Sequence, residues 1–550
     1  MKKNFLALCL GAALILPGCV HVDNSLGQGL VDKSLLFNTY TEEFPLEEIQ
    51  LKSSDALSGY SDSRITIGAI RDDVFGLTTR EAAFNLLPVL DTIDLGTDPK
   101  AVSFAIYFAA DTVSCADDSQ ARILQNIYVT ELVRPLPSDD DDMSNTQFIA
   151  HGDKIITKGL PTYNGSGGLT FNFTTEFAQR YTDMLKHLGP VFKDRENEGG
   201  IDRYDDIIAA MPGIHIRTNE PDGIGGRINL FDFSCLSVSN NYYVQNNNFG
   251  KLTVNSTWNG VKKDSTFLII PGEPELYDEK EYVNENTKFY QYCFNRTTQS
   301  TQPGPAVGEI KVEGGGGLKP VVLARELQAK ASEAIIKHGG DPSKAVIIKA
   351  TLEFPFDMPE NYEDLKYFPS ILSPTILTTY ETSTGVELPT FAGLTDASIS
   401  TEDQGDIDRS NLVYRPDITY HLQELISRSN LESTDDADIW LLTIYTEKVA
   451  NASGSLYDNE YYQNLLYASY YNSLYGGGYG GYSSYGYGYG NYSNYYNYMM
   501  LASMMSASTE QSYSYNSELD KDRYYRAILC GQGNATRAPL FRVTFALPQD

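Results

Sequence analysis

The residues able to do chemistry are few and scattered. The six histidines are His21, His151, His187, His215, His338 and His421, and none falls into H-E-x-x-H or H-x-H, so the sequence contains no local metal motif. Gly165-Ser166-Gly167-Gly168 has the composition of a serine-hydrolase elbow without its G-x-S-x-G spacing, and it reads as a turn before a strand at Leu169. Gly476, Gly478 and Gly481 formally satisfy G-x-G-x-x-G, but no buried strand precedes them and no basic residue is near, so a phosphate site is not expected. The 72 Asp and Glu are too many for any pair to mark a glycosidase. Asp139-Asp140-Asp141-Asp142 offers oxygens to a hard cation, yet it lacks the alternating ligands and turn glycine of a calcium loop and reads as a solvated surface run. The expectation is a protein that is not an enzyme and carries no cofactor or metal.

Cysteine chemistry is more informative. A basic start, Met1-Lys2-Lys3, an apolar run from Phe5 to Leu16 and then Leu16-Pro17-Gly18-Cys19 have the order of a secretory signal ending in a bacterial lipobox. Residues 1–18 are therefore expected as a lipoprotein signal peptide, with Cys19 as the lipid attachment residue. Val20, rather than Asp, at the next position favours the outer membrane. No other stretch reaches the roughly 18 uninterrupted apolar residues of a membrane helix, so the acyl chains would be the anchor. Cys115, Cys235, Cys293 and Cys530 remain; they read either as two disulfides, for which three pairings exist, or as small apolar residues in strands.

The formal charge of −30 excludes nucleic-acid binding through bulk electrostatics. It suits a soluble body held beside an anionic surface without collapsing onto it. Of the 39 Tyr, nearly half lie between Tyr457 and Tyr515, in a stretch with no Lys or Arg from Val449 to Asp520. Its Gly/Tyr repeat places Tyr475, Tyr479, Tyr482, Tyr485, Tyr487 and Tyr489 as a candidate partner surface, nearly uncharged and aromatic.

The elements that must position these groups are mostly strands. Short alternating runs recur between Gly, Asn, Asp and Pro, as in Arg64 to Ile67, Val102 to Phe108, Ile127 to Val129, Leu169 to Phe173 and Ile214 to Ile216. Such runs predict antiparallel sheets stacked as sandwiches or jelly rolls. Helices are predicted over Thr175 to Leu188, Val322 to His338 and Thr419 to Arg428. Further strands are expected over Lys349 to Phe354 and Ile439 to Tyr445, and Tyr525 to Leu529 is expected to pair with Phe541 to Leu547 at the end of the chain. The fold class is thus mainly β: a lipidated tether over 19–60, two β-sandwich or jelly-roll modules over 61–300 and 301–550, a few short helices, and a Tyr/Gly-rich insertion over 450–520 in the second module.

Several segments taken together resemble a known family. They are the lipobox, Asn24-Ser25-Leu26-Gly27, Ile67 to Gly76, Met211-Pro212-Gly213-Ile214-His215-Ile216, Gly225-Gly226-Arg227-Ile228-Asn229, Gly314 to Pro320, Lys349 to Pro355 and Arg526 to Gly531. In this order they resemble the Bacteroidota lipoprotein family with domain of unknown function 4270, over nearly the whole chain after Cys19. The resemblance implies an outer-membrane lipoprotein of sandwich build with no assigned catalytic residues. It also implies a setting among proteins that accompany outer-membrane machines, such as β-barrel assembly and glycan uptake. The expected function is that of a binding or scaffold subunit at the outer membrane, on the cell surface rather than the periplasmic face, with an outer-membrane protein as partner. The alternative is a glycan-binding or adhesive surface lipoprotein, for which Trp258 and Trp440 are the sole Trp available.

Overall fold

Each alternating run becomes a strand, longer than its apolar centre in every case but the run at Leu169, which stops one residue earlier. Arg64–Asp72, Thr97–Phe108, Gln125–Glu131, Leu169–Asn172 and Ile214–Thr218 are all strands. In this computed structural model the described residues run from 37 to 548, except 54, 62–63, 89–92, 116, 138–142, 190–202, 234–235, 240–241, 246–247, 278–287, 383–384, 395, 397–403, 429–436 and 451–512. The protein is mainly β, built on curled antiparallel sheets of ten, five and twelve strands.

Strands from Tyr60 to Thr298 make the ten- and five-stranded sheets, which face each other across one apolar core. Ile67, Phe84 and Ile216 enter from one side and Phe104, Leu252 and Val254 from the other, none more than 1% exposed. The helix Thr175–Leu188 has the expected bounds. Thr174 accepts from the Phe177 amide at its start, and Gly189 ends it with φ of 92°. Its Phe177, Tyr181 and Leu185 face the core, and the Tyr181 hydroxyl donates to the Leu86 carbonyl at 2.7 Å. A short helix, Arg203–Ala210, goes unanticipated in the sequence; it buries Tyr204 and Ile207 against the same core.

The twelve-stranded sheet wraps the second core, covered by the helices Ala324–Lys337 and Thr419–Ser427. The first of these starts on an Asp438 carboxylate, which accepts from the Ala324 amide at 2.9 Å and also holds Lys52 at 3.0 Å. That Lys lies in the segment expected to be tether, and here the structure corrects the sequence. Phe37–Pro45 is a strand lying along Leu540–Pro548 in register from Phe37↔Pro548 to Pro45↔Leu540, and Ile49–Lys52 pairs with Lys319–Val322. Leu46, Ile49 and Leu51 are buried in the second core. The alternation is hidden because Glu42, on the inward side of the first strand, is taken up by polar partners, Lys337 and His338 at 2.9 and 2.7 Å. The second module is therefore discontinuous: 37–52 joins the strands after Gly304, and the expected divisions at 19–60 and 301–550 are revised accordingly.

Two further expectations change. The strand Ala527–Cys530 pairs with Glu309–Val312, not with the last strand, and Leu540–Pro548 lies between Phe37–Pro45 and Val346–Pro355. At the insertion, Tyr513–Leu519 is a strand paired with Ile439–Ala450, ending at Ala450↔Tyr513, so the part without a described partner narrows from 450–520 to 451–512.

Candidate functional site

Cys19 and Tyr475, Tyr479, Tyr482, Tyr485, Tyr487 and Tyr489 lie outside the described residues, as do Cys235 and the run Asp139 to Asp142. The remaining three cysteines correct the disulfide reading: Cys115, Cys293 and Cys530 are buried free thiols. Each sits on a different pair of strands, Cys115 beside Arg227, Cys293 beside Ser61 and Cys530 beside Glu309. Burial raises the Cys115 and Cys530 thiols above their ordinary range, which keeps them protonated and unreactive. Of the two Trp, Trp440 is 4% exposed with its ring edge against Phe391, so it offers no face to a sugar; Trp258 is half-buried.

Two histidines that no spacing motif connects do meet. The rings of His151 and His215 stack with centroids 4.1 Å apart and planes 10° from parallel. His215 is wholly buried, its Nε2 is 3.3 Å from the Glu81 carboxylate, and the same carboxylate oxygen accepts from Arg296 at 3.2 Å. Burial works against ionising Glu81, but the hydrogen bonds and charges of His215 and Arg296 outweigh it and bring the carboxyl down to about 2. Burial also dominates at His215 and pushes its imidazole below the ordinary value despite Glu81. Arg296 and the buried ring hold the Glu81 carboxylate as a polar cluster, and the hydroxyl beside the stacked histidines is that of Thr130, 3.5 Å from His151 Nδ1. Among the described residues no group of three His, Cys, Asp or Glu is placed to hold a metal. A nearby cleft against Leu86, Phe177, Tyr181 and Met211 has room for about one water molecule.

The densest set of buried charges lies where the two modules meet. Lys319, 2% exposed, donates to the carbonyls of Glu313 and Gly315 at 2.8 and 2.9 Å. The Glu313 carboxylate accepts from the Leu318 amide at 3.2 Å and from the Thr301 hydroxyl. Burial drives Lys319 down and Glu313 up, each toward its neutral form. Arg80 of the first module is also 2% exposed; it donates to Thr297 and presses on Gly315 of the second. Gly315 has φ of +60°, and a Cβ there would stand 2.2 Å from the Arg80 guanidinium nitrogens. Only glycine fits that approach. Lys521 crosses the junction to the Ser58 and Tyr60 carbonyls at 3.1 and 2.7 Å. At its rim Arg526 joins Asp72 and Asp364 at 3.2 and 3.4 Å, with its guanidinium carbon 4.5 Å from the Tyr367 ring centroid, and Lys366 meets Asp118 at 2.6 Å.

This arrangement is a polar lock. The segments that carry it, Ile67 to Gly76, Gly314 to Pro320 and Arg526 to Gly531, are among those singled out in the sequence, and they converge on the module junction rather than on an open cleft. What sequence reasoning missed is Arg80, a lone base in a strand with no local motif; the run of four glycines at Gly314 to Gly317 was the one signal that something bulky had to be admitted there. Among the described residues no helix is long and apolar enough to cross a membrane. Searches of protein-family models, curated proteins and solved structures return no match to this chain.

Proposed function

We propose that the chain is a non-enzymatic outer-membrane lipoprotein, anchored through acyl chains on Cys19 and held on the cell surface, that serves as a binding or scaffold subunit of an outer-membrane complex, outer-membrane protein assembly being one such setting. The observation that carries this reading is the polar lock, in which Lys521 reaches the Ser58 and Tyr60 carbonyls and Arg526 reaches Asp72, joining two sandwich modules into one body. On that body the segment 451–512 leaves and returns at one point, Ala450 opposite Tyr513, from a strand pair whose Trp440, Leu442, Ile444 and Leu519 are buried. An aromatic, base-free segment presented this way suits burial against a protein partner.

Affinity capture from detergent-solubilised membranes after crosslinking of intact cells tests the reading. The expected result is an outer-membrane protein recovered with the full chain and lost when 451–512 is deleted. Recovery of the full chain as an uncomplexed monomer would remove the proposal, and labelling of Cys19→Ala by radioactive palmitate would remove the anchor.

A further inference from the structure

The five-stranded sheet ends in a hairpin whose chemistry differs from the rest of this acidic chain. Gly250–Trp258 and Val261–Pro271 pair in register up to Trp258↔Val261, closed by the two-residue turn Asn259-Gly260 with φ of 49° and 80°. Both positive angles give the turn the twist that a tight hairpin needs. At its tip Val261 is 65% exposed, an apolar side chain at the outermost pair of the ladder. Opposite it the Trp258 indole is half-buried, with its Nε1 donating to Ser256 at 2.7 Å and the Lys263 ammonium 4.7 Å from the ring centroid. Lys262 and Lys263 are exposed on the next two pairs. Lys100 lies opposite Asn255 on the adjoining strand. Gly96 packs against Ser256 and Trp258, and its carbonyl accepts from Lys186 at 2.7 Å while its amide donates to Asp94 at 2.8 Å. The acids at this end are therefore Asp94, Asp98, in the bulge beside Thr257, and Asp264, whose carboxylate is engaged by Asn255 at 2.6 Å. Four bases against three acids is a small basic excess in a chain of 42 bases to 72 acids.

We propose that this tip, Trp258 to Lys263, is a contact for an anionic lipid surface. Three features fit that partner together. An indole with an apolar body and a satisfied polar edge belongs at the boundary between headgroups and acyl chains. An exposed branched apolar residue at the point of a turn is costly in water and favourable a few ångströms into that boundary. Adjacent lysines meet the negative potential of anionic headgroups and keep their own charges in water. A chain of net charge −30 is repelled by such a surface over most of its area, so the orientation in which this tip leads is the one that approaches. The contact does not depend on acylation of Cys19; with an anchor present it would set which face of the body looks at the bilayer.

Every described element begins at Phe37 or later, so the chain from Val20 onward retains the whole described fold and is free of the apolar leader. Its binding is measured by co-sedimentation with phosphatidylcholine vesicles with and without phosphatidylglycerol, together with Trp emission. Trp440 is buried, so a change in emission reports Trp258. The expected result is binding to the phosphatidylglycerol vesicles at low salt with a blue shift of emission, and neither with phosphatidylcholine alone. Lys262→Glu with Lys263→Glu is expected to weaken binding by about tenfold or more, and Val261→Asp to abolish the blue shift. All three positions are exposed, and an unchanged melting curve accompanies each variant. Absence of binding, binding without a blue shift, or binding that both variants leave intact overturns the proposal, as does a blue shift produced by soluble oligosaccharide in place of vesicles.

Discussion

Glu81 keeps its charge in a largely buried setting, between His215 and Arg296. Its carboxyl is held at about 2 where the ordinary value is 4.5, so the folded state binds its proton less readily than the unfolded chain does. The stabilisation is present above about pH 4.5 and is lost as the pH falls toward 2. Glu81→Gln is expected to lower unfolding free energy by about 2 kcal/mol at neutral pH, because Arg296 is left without its carboxylate. In urea titrations across pH the difference between variant and parent should shrink steadily below pH 4.5; a constant difference would contradict the assignment. His215 acts in the same direction: its folded value lies below 6.5, so acidification past that point protonates the unfolded chain first and costs the fold stability. Neither role is readable from the sequence, since His151, His215, Glu81 and Arg296 come from four segments that only the sheet brings together.

At the scale of elements, the strands Arg64–Asp72 and Gly225–Asp232 approach more closely than side chains allow. A Cβ on Gly226 would stand 2.2 Å from the Ala69 carbonyl oxygen, at a φ of +106° that other residues avoid. Gly226→Ala is expected to cost about 2–4 kcal/mol by forcing the pairing apart, read as a drop in melting temperature; a variant as stable as the parent would show that the sheet yields there. The helix Thr175–Leu188 was legible to the residue, because Phe177, Tyr181, Met184, Leu185 and Leu188 mark one face and Gly189 ends it. The strand Phe37–Pro45 was not, because its inward Glu42 looks solvent-facing until Lys337 and His338 supply its partners. Pairing partners are also beyond local pattern: Ala527–Cys530 and Leu540–Pro548 are adjacent in sequence and alternate alike, yet each finds a distant strand. The site was legible only as a set of unusual segments, with their meeting place supplied by tertiary structure.

At the scale of the whole molecule, the polar lock predicts how the modules come apart. Gly315→Ala, at a φ of +60°, puts a methyl group 2.2 Å from the nitrogens of a buried guanidinium that must shift to admit it, so the junction should open before either core does. Calorimetry is expected to turn one cooperative transition into two, and limited proteolysis to cut the variant between Thr298 and Gly304, where the chain passes from one module's sheets to the other's. A single transition in the variant would mean that the modules are bound chiefly by other contacts. The pairing of Phe37–Pro45 with Leu540–Pro548 has a different kind of consequence, one of timing. A chain delivered from its amino end can fold the first module as soon as Thr298 has emerged, since all of that module's described strands lie between Tyr60 and Thr298. The second must keep its opening strand waiting, edge exposed, until the closing strand arrives. Premature termination between Thr298 and Leu540 would therefore yield a molecule with one finished half and one sticky one, a species for chaperones and proteases to recognise.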